Sequence, residues 1–313
     1  MIIRTQQDVT AAVLAEVERA PDERFRHILR AAVRHLHDFV RESRLTEAEF
    51  QQLCAAIVRA GQQTTASHNE VVLAAGSLGV SSLVCLLNNA VGDELTTANL
   101  LGPFWREGAP ILQNGASLLR GVTAGEPIFV TAWVRDTDGQ PVAGARVDVW
   151  HTSAEGLYEN QDPEQPDMNC RGTFATDYQG KVWFRSVKPR GYPIPVDGPV
   201  GDLIRAQRRH NLRPAHIHFL ISKAGYKTQF SQVYSGDDPN LESDVQFGVT
   251  ERLIGKYLRH VPGDSAPAQD VTGPWYSLEH DFELLPGVSR LPRPPITGKA
   301  TGPRPQLEIL QRD

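Results

Sequence analysis

Residues 128–152 read IFVTAWVRDTDGQPVAGARVDVWHT. In IFVTAWVRD, apolar side chains recur at every second position. A strand sends successive side chains to opposite faces, so this period marks a strand with one buried face. DGQ supplies turn residues and ARVDVWHT resumes the alternation. DYQG (177–180) turns again before KVWFRSV (181–187). The spacing predicts consecutive antiparallel strands and hairpins, the pattern of an all-β sandwich or barrel.

Outward from this stretch the composition changes twice. Residues 1–100 read as helical. In FRHILRAAVRHLHDFV (25–40), Phe25, Ile28, Leu29, Ala32, Val33, Leu36, Phe39 and Val40 recur at helical spacing. LTEAEF (45–50) carries a capping box, with Thr46 as N-cap and Glu49 three positions on, and Leu45 and Phe50 placed for a hydrophobic staple. NEVVLAAGSLGVSSLVCLLNNAVG (69–92) is apolar on most faces, which predicts a helix buried between other elements or against a twin subunit. After residue 285 the chain is Pro-rich without periodicity and reads as an extended tail. The expected fold class is α+β: a helical N-terminal domain (1–100), an antiparallel β-sandwich (101–285) and a Pro-rich tail (286–313).

Bulk properties narrow the function. With 313 residues and 40% apolar content the chain can build a sizeable core, and a net charge of -5 gives no basic field for nucleic acid. No run approaches the roughly 18 apolar residues of a membrane span, and the N-terminus lacks a signal-peptide pattern. Cys54, Cys85 and Cys170 are widely spaced and form no CxxC pair, as suits a reducing, cytoplasmic compartment.

RPAHIHFLIS (213–222) raises a chemical question. His216 and His218 share one strand face while Ile217 and Phe219 take the other. Two readings stand: a polar face hydrogen-bonded to its neighbours, or two imidazoles holding a metal. A second His-x-His pair, His35 and His37, is the control. It lies in the helical run, where residues two apart diverge by about 200°, so it reads as solvated surface. Further ligands to His216 and His218 would come from loops. Carboxylates stand in DDPN (237–240) and DPEQPD (162–167), and tyrosines at Tyr158 and Tyr192.

Four motifs in order, LLGPFWREGAP (100–110), DVWHTSAEGLYEN (148–160), TDYQGKVWFRSVKPRGYPIP (176–195) and RPAHIHFLIS, resemble the intradiol ring-cleaving catechol dioxygenases. The resemblance runs from the N-terminal helices to about residue 260. It implies one non-haem Fe(III) per chain, held by Tyr158, Tyr192, His216 and His218. It implies O2-dependent cleavage of a catechol between its hydroxyl-bearing carbons to a cis,cis-muconate type diacid, with Tyr192 leaving the metal as a base. Arg213 corresponds to the family arginine beside the ring and Gln232 to a polar residue behind the ligands. Substrate would be lined by Leu73, Gly76, Leu101, Gly102, Phe104, Ile194 and Pro195, in a pocket between the helical domain and the sandwich. LLGPFW and GYPIPVDGPVGDLI (191–204) are closer to hydroxyquinol and chlorocatechol enzymes than to protocatechuate enzymes. Those relatives tend to carry an aspartate where LAAGSLGVS (73–81) has Gly76, which leaves room there for a substituted catechol. The family also implies a homodimer built by the N-terminal helices, sometimes around a lipid. Two other chemistries remain open: a noncatalytic β-sandwich module with structural zinc, and extradiol cleavage using ferrous iron and a carboxylate.

Overall fold

The computed structural model describes residues 2–89 and 96–311. The chain divides into two compact units, residues 1–58 and 59–313. In the first, α1 (Gln6–Val17) packs along α2 (Glu23–Ser43). Thr10 Oγ1 meets His37 Nδ1 at 2.8 Å, while His35 faces solvent. The two rings therefore diverge as helical geometry requires, although His37 is half-buried and not fully solvated. Val33 is the one buried residue of α2; Phe25, Ile28, Leu36, Phe39 and Val40 are all exposed.

α3 (Glu47–Gln63) starts at the capping box: Glu49 N donates to Thr46 Oγ1, and Thr46 N donates to the Glu49 carboxylate at 2.9 Å. The apolar segment after it forms two helices, not one. α4 (Glu70–Ser77) and α5 (Val80–Asn89) meet at a 75° bend. The break falls at Gly79, whose φ of 72° a side chain would resist. α4 buries Leu73 and Gly76, whereas α5 buries nothing and leaves Leu83 and Leu87 exposed, contrary to the expectation of a helix buried all round. The segment's last residues, 90–92, lie outside the described residues. No single helix among the described residues is long and apolar enough to cross a membrane.

The strands are β1 (Pro127–Asp136), β2 (Arg146–His151), β3 (Arg171–Ala175), β4 (Lys181–Val187), β5 (Tyr192–Pro193), β6 (Leu212–Arg213), β7 (His216–Ser222), β8 (Gln229–Ser235), β9 (Ile254–Gly255), β10 (Leu258–His260) and β11 (Trp275–Leu284), with α6 (Pro199–Ala206) after β5. They form a sandwich of one sheet in the order β10-β11-β1-β4 and another in the order β3-β2-β7-β8-β9, and β5 pairs β6 separately. Ile128, Val130, Ala132 and Val134 of β1 meet Val147, Val149, Ile217, Phe219 and Ile221 in the core. Burying each such side chain contributes about 1.5–3 kcal/mol.

Two expectations are corrected. The sheets are mixed: β1 pairs β11, and β8 pairs β9, in parallel. Parallel neighbours need a long crossover, and the chain between β1 and β11 supplies it. The predicted turns exist, but the long strands they join do not pair with each other, and the first turn closes only a short antiparallel ladder around Arg135 and Pro141. At Asp136 the side chain caps the amides of Asp138 and Gln140. Pro141 and Gly144 then interrupt the returning run, and the chain crosses to the other sheet as β2.

The tail is tied down without regular structure. Thr297 N and Gly298 N donate to Ala66 O, Ala300 N to Asn160 O and Leu310 N to Asn211 Oδ1. Ile296 is 1% exposed. All three cysteines are free thiols, and burial pushes Cys170 up to about 12, where the thiolate is scarce.

Candidate active site

The alternation that sends Ile217, Phe219 and Ile221 into the sandwich core sends His216 and His218 to the outer face of the same sheet. That face is not solvated. Loops, α4, α6 and Ile296 of the tail cover it with a second apolar cluster containing Leu73, Phe104, Trp105, Tyr158, Tyr192 and Ile194.

Four side chains converge there. The Tyr158 hydroxyl lies 2.9 Å from His218 Nε2, 3.3 Å from His216 Nε2 and 3.4 Å from the Tyr192 hydroxyl, and the two Nε2 atoms are 3.1 Å apart. His216 Nδ1 donates to Pro214 O at 2.7 Å, which fixes the tautomer and leaves Nε2 a bare lone pair. His218 is clamped by Trp150, its cross-strand partner, stacked at 4.5 Å and 8°. Its Nδ1 is buried without a partner. Only a proton on His218 Nε2 could bridge the two rings, and that would strip Nδ1 of hydrogen without giving it a donor. A cation at the convergence satisfies both lone pairs, and the donor spacing of about 3 Å is that around one ion bound at about 2 Å. The residues fit a metal.

The electrostatics agree. Burial and the neighbouring Arg213 charge push His216 down to about 3, and burial with His216 holds His218 well below the usual range, so both rings are neutral, the form in which imidazole can bind a metal. Burial and the adjacent Tyr192 hold the Tyr158 phenol well above its ordinary value. A bound cation would have to draw that proton off. Among the described residues no group of three His, Cys, Asp or Glu stands at metal-binding spacing; the oxygens that meet the two imidazoles are the phenols of Tyr158 and Tyr192.

Behind the donors stands a buried polar network. Arg213 makes a two-pronged pair with Asp244, with Nε–Oδ1 and Nη2–Oδ2 both 3.0 Å, and its Nη1 lies 3.4 Å from His216 Nε2. Burial opposes the Arg213 charge, and the Asp244 carboxylate with the Tyr234 and Tyr192 phenols together more than offset it. Arg213 Nη2 donates to the Tyr234 hydroxyl, which donates to Gln232 Oε1, while Gln232 Nε2 holds Leu100 O. On the other side Arg171 donates to Glu159 Oε1, Asn160 Oδ1 and Phe104 O, locking the loop that carries Tyr158.

A family model described as "Dioxygenase" matches residues 100–282, and one described as "Catechol dioxygenase N terminus" matches residues 22–96. A hydroxyquinol 1,2-dioxygenase of a Rhizobium species is 40% identical over 87% of this chain and 92% of that protein. A 6-chlorohydroxyquinol 1,2-dioxygenase of Cupriavidus pinatubonensis is 39% identical over 90% and 98%. The chain belongs to the intradiol ring-cleavage dioxygenases. Among solved structures, hydroxyquinol 1,2-dioxygenase of Pseudomonas putida DLL-E4 superposes with a TM-score of 0.78 at 36% identity, covering 90% of this chain and 99% of that one.

In this intradiol dioxygenase the residues expected to line one pocket are distributed over three places. Leu73 and Phe104 are buried in the cluster around the donors, the Phe104 ring 4.5 Å from Tyr158. Ile194 and Pro195 line a cavity of about 510 Å3 whose far wall is tail residues Pro305–Glu308. Gly76, Leu101 and Gly102 line another of about 870 Å3, walled also by α5 and Pro294–Pro295. Gly102 brings this cavity to the donors, since a Cβ there would stand 3.2 Å from His218 Cε1. The room expected beside Gly76 is taken: a Cβ at that position would overlap the Gln246 carboxamide.

Sequence reasoning missed Tyr234, Asp244, Trp150, Ile296 and Gln246. Tyr234 had a signal, because it lies two residues from Gln232 on one strand and shares its face. Asp244 and Gln246 sit in an irregular loop where no periodicity marks them.

Proposed function

We propose that this dioxygenase opens a catechol-type diol between its hydroxyl-bearing carbons using O2 and one non-haem Fe(III) per chain, held by Tyr158, Tyr192, His216 and His218. The observation that carries this reading is the convergence of two phenols and two neutral imidazoles within 3.4 Å of the Tyr158 hydroxyl. When bound, ferric iron supplies a Lewis acid that accepts the deprotonated diol and activates it toward O2. Tyr192 lies at the edge of the cluster on a two-residue strand and is the residue to accept a diol proton. Arg213, kept charged by Asp244, stabilises negative charge on the ring. The apolar cover of Leu73, Phe104 and Ile194 excludes water.

Hydroxyquinol is the favoured substrate class, on the strength of the relatives' names and motifs. In this reading residues 101–285 carry the chemistry, residues 1–100 pair two subunits and the tail closes the catalytic unit. The exposed apolar faces of α2 and α5 support a homodimer, and the three free cysteines a reducing, cytoplasmic location. The test is a panel of hydroxyquinol, catechol and alkylcatechols with product identification, beside metal analysis and a visible spectrum. Muconate-type products from a coloured protein with about one iron per chain are expected. Full activity in a colourless, iron-free protein would overturn the proposal.

A further inference from the structure

Gln246 reaches from the loop behind Arg213 across to α4. Its Nε2 donates to Ser77 Oγ at 2.7 Å and lies 3.5 Å from Leu73 O. A carbonyl can only accept, so this contact turns the nitrogen toward the helix backbone and the carboxamide oxygen over Gly76. A Cβ at Gly76 would fall 2.8 Å from Gln246 Cδ and closer still to Oε1. The glycine is therefore the seat of the glutamine side chain. Gly76 φ is not positive and its helix has no kink there, so backbone conformation does not account for the residue.

The seat opens on a cavity that reaches the donor cluster. Gln246 and Gly76 share the cavity that Gly102 carries up to His218. Two residues before Gln246, Asp244 fixes Arg213 beside His216. Gln246 N also donates to Asp244 Oδ1, which ties the glutamine's backbone to the same network. With its amide hydrogens directed at Ser77 and Leu73, the side chain offers the cavity an acceptor, held at 5% residue exposure in mostly apolar surroundings.

We infer that Gln246, seated over Gly76, is a specificity-determining residue whose carboxamide oxygen accepts a hydrogen bond from a third ring hydroxyl. This rests on the diol-cleaving reading above and deepens it, because it selects trihydroxybenzenes over catechol. A satisfied acceptor favours the substrate that carries the extra hydroxyl, and the same acceptor left dry beside plain catechol disfavours that one.

The test moves the acceptor. In iron-loaded protein, Gln246→Ala lowers the ratio of kcat/KM for hydroxyquinol to that for catechol by about tenfold. Gly76→Asp alone drives a carboxylate into Gln246 and lowers the melting temperature. Combining Gly76→Asp with Gln246→Ala restores both the melting temperature and the ratio, a coupling that independent sites would not give. Anaerobic dissociation constants for the two diols follow the same order. A ratio unchanged in a normally melting Gln246→Ala protein, or simple additivity in the double variant, overturns the inference while leaving ring cleavage intact. A wild-type protein that cleaves neither diol overturns the functional reading and this inference with it.

Discussion

Ile217 alone separates His216 from His218, and its side chain goes to the sandwich core while theirs go to the donor cluster. That alternation was legible in the sequence because a strand's period is fixed at two. It brings the pair in β7 together on one face and sends the pair in α2 apart. Replacing His216 or His218 by alanine is expected to remove most bound iron, whereas His35→Ala leaves it in place, as metal analysis of the purified variants would read. Equal losses from all three would mean that strand geometry does not control metal binding. Tyr158 and Tyr192 were legible only through motif order, since loop tyrosines have no period to betray them. The partner of Arg213 was not legible at all: Asp244 lies 31 residues away in sequence. The close approach of Gln246 to Gly76 belongs to the same kind, a contact made by the loop's path and by no local pattern.

At the scale of elements, the helices and strands were readable and their partners were not. The capping box fixed where α3 begins, because cap and helix are neighbours in sequence. Which sheet β2 joins depends on where Pro141 and Gly144 send the chain, and alternation says nothing of that. The tail was read as extended, and its described residues carry no helix or strand, yet Ile296 docks at 1% exposure in the cluster that holds Tyr158 and Tyr192. A Pro-rich segment can bury a single anchor without any periodicity to announce it. Ile296→Ala is expected to cost about 2–5 kcal/mol in a denaturant titration, as for other buried isoleucines. A loss within about 0.5 kcal/mol would mark the tail as a passive covering.

For the whole molecule, buried neutral histidines set the response to acid. Burial pushes His151 down to about 4, His280 to about 4 and His216 to about 3. In the unfolded chain each titrates near about 6.5. Below that value the unfolded state takes up protons that the folded state refuses, so stability is present above about pH 6.5 and is lost as pH falls toward 3 to 4. Each such histidine removes about 1.4 kcal/mol per pH unit across that window. The metal-free protein is therefore expected to hold a constant denaturation midpoint above about pH 7 and a steadily falling one below 6.5. Equal midpoints at pH 7.5 and 4.5 would contradict it.

The parallel pairing of β1 with β11 has a consequence for how the protein is made. Residues 127–136 find their sheet partner only at 275–284, and β10 is attached to that sheet through β11 alone. A nascent chain lengthening on the ribosome therefore exposes one edge of β1 until residues 275–284 have been translated. The core behind the histidine strand closes late, and the last anchor of the donors' apolar cover, Ile296, arrives later still. Closing loops of that length is slow compared with forming helices. If the donors hold iron as proposed, its loading belongs after residue 296 has been made, and the waiting edge of β1 is where chaperone capture, or aggregation in its absence, would begin.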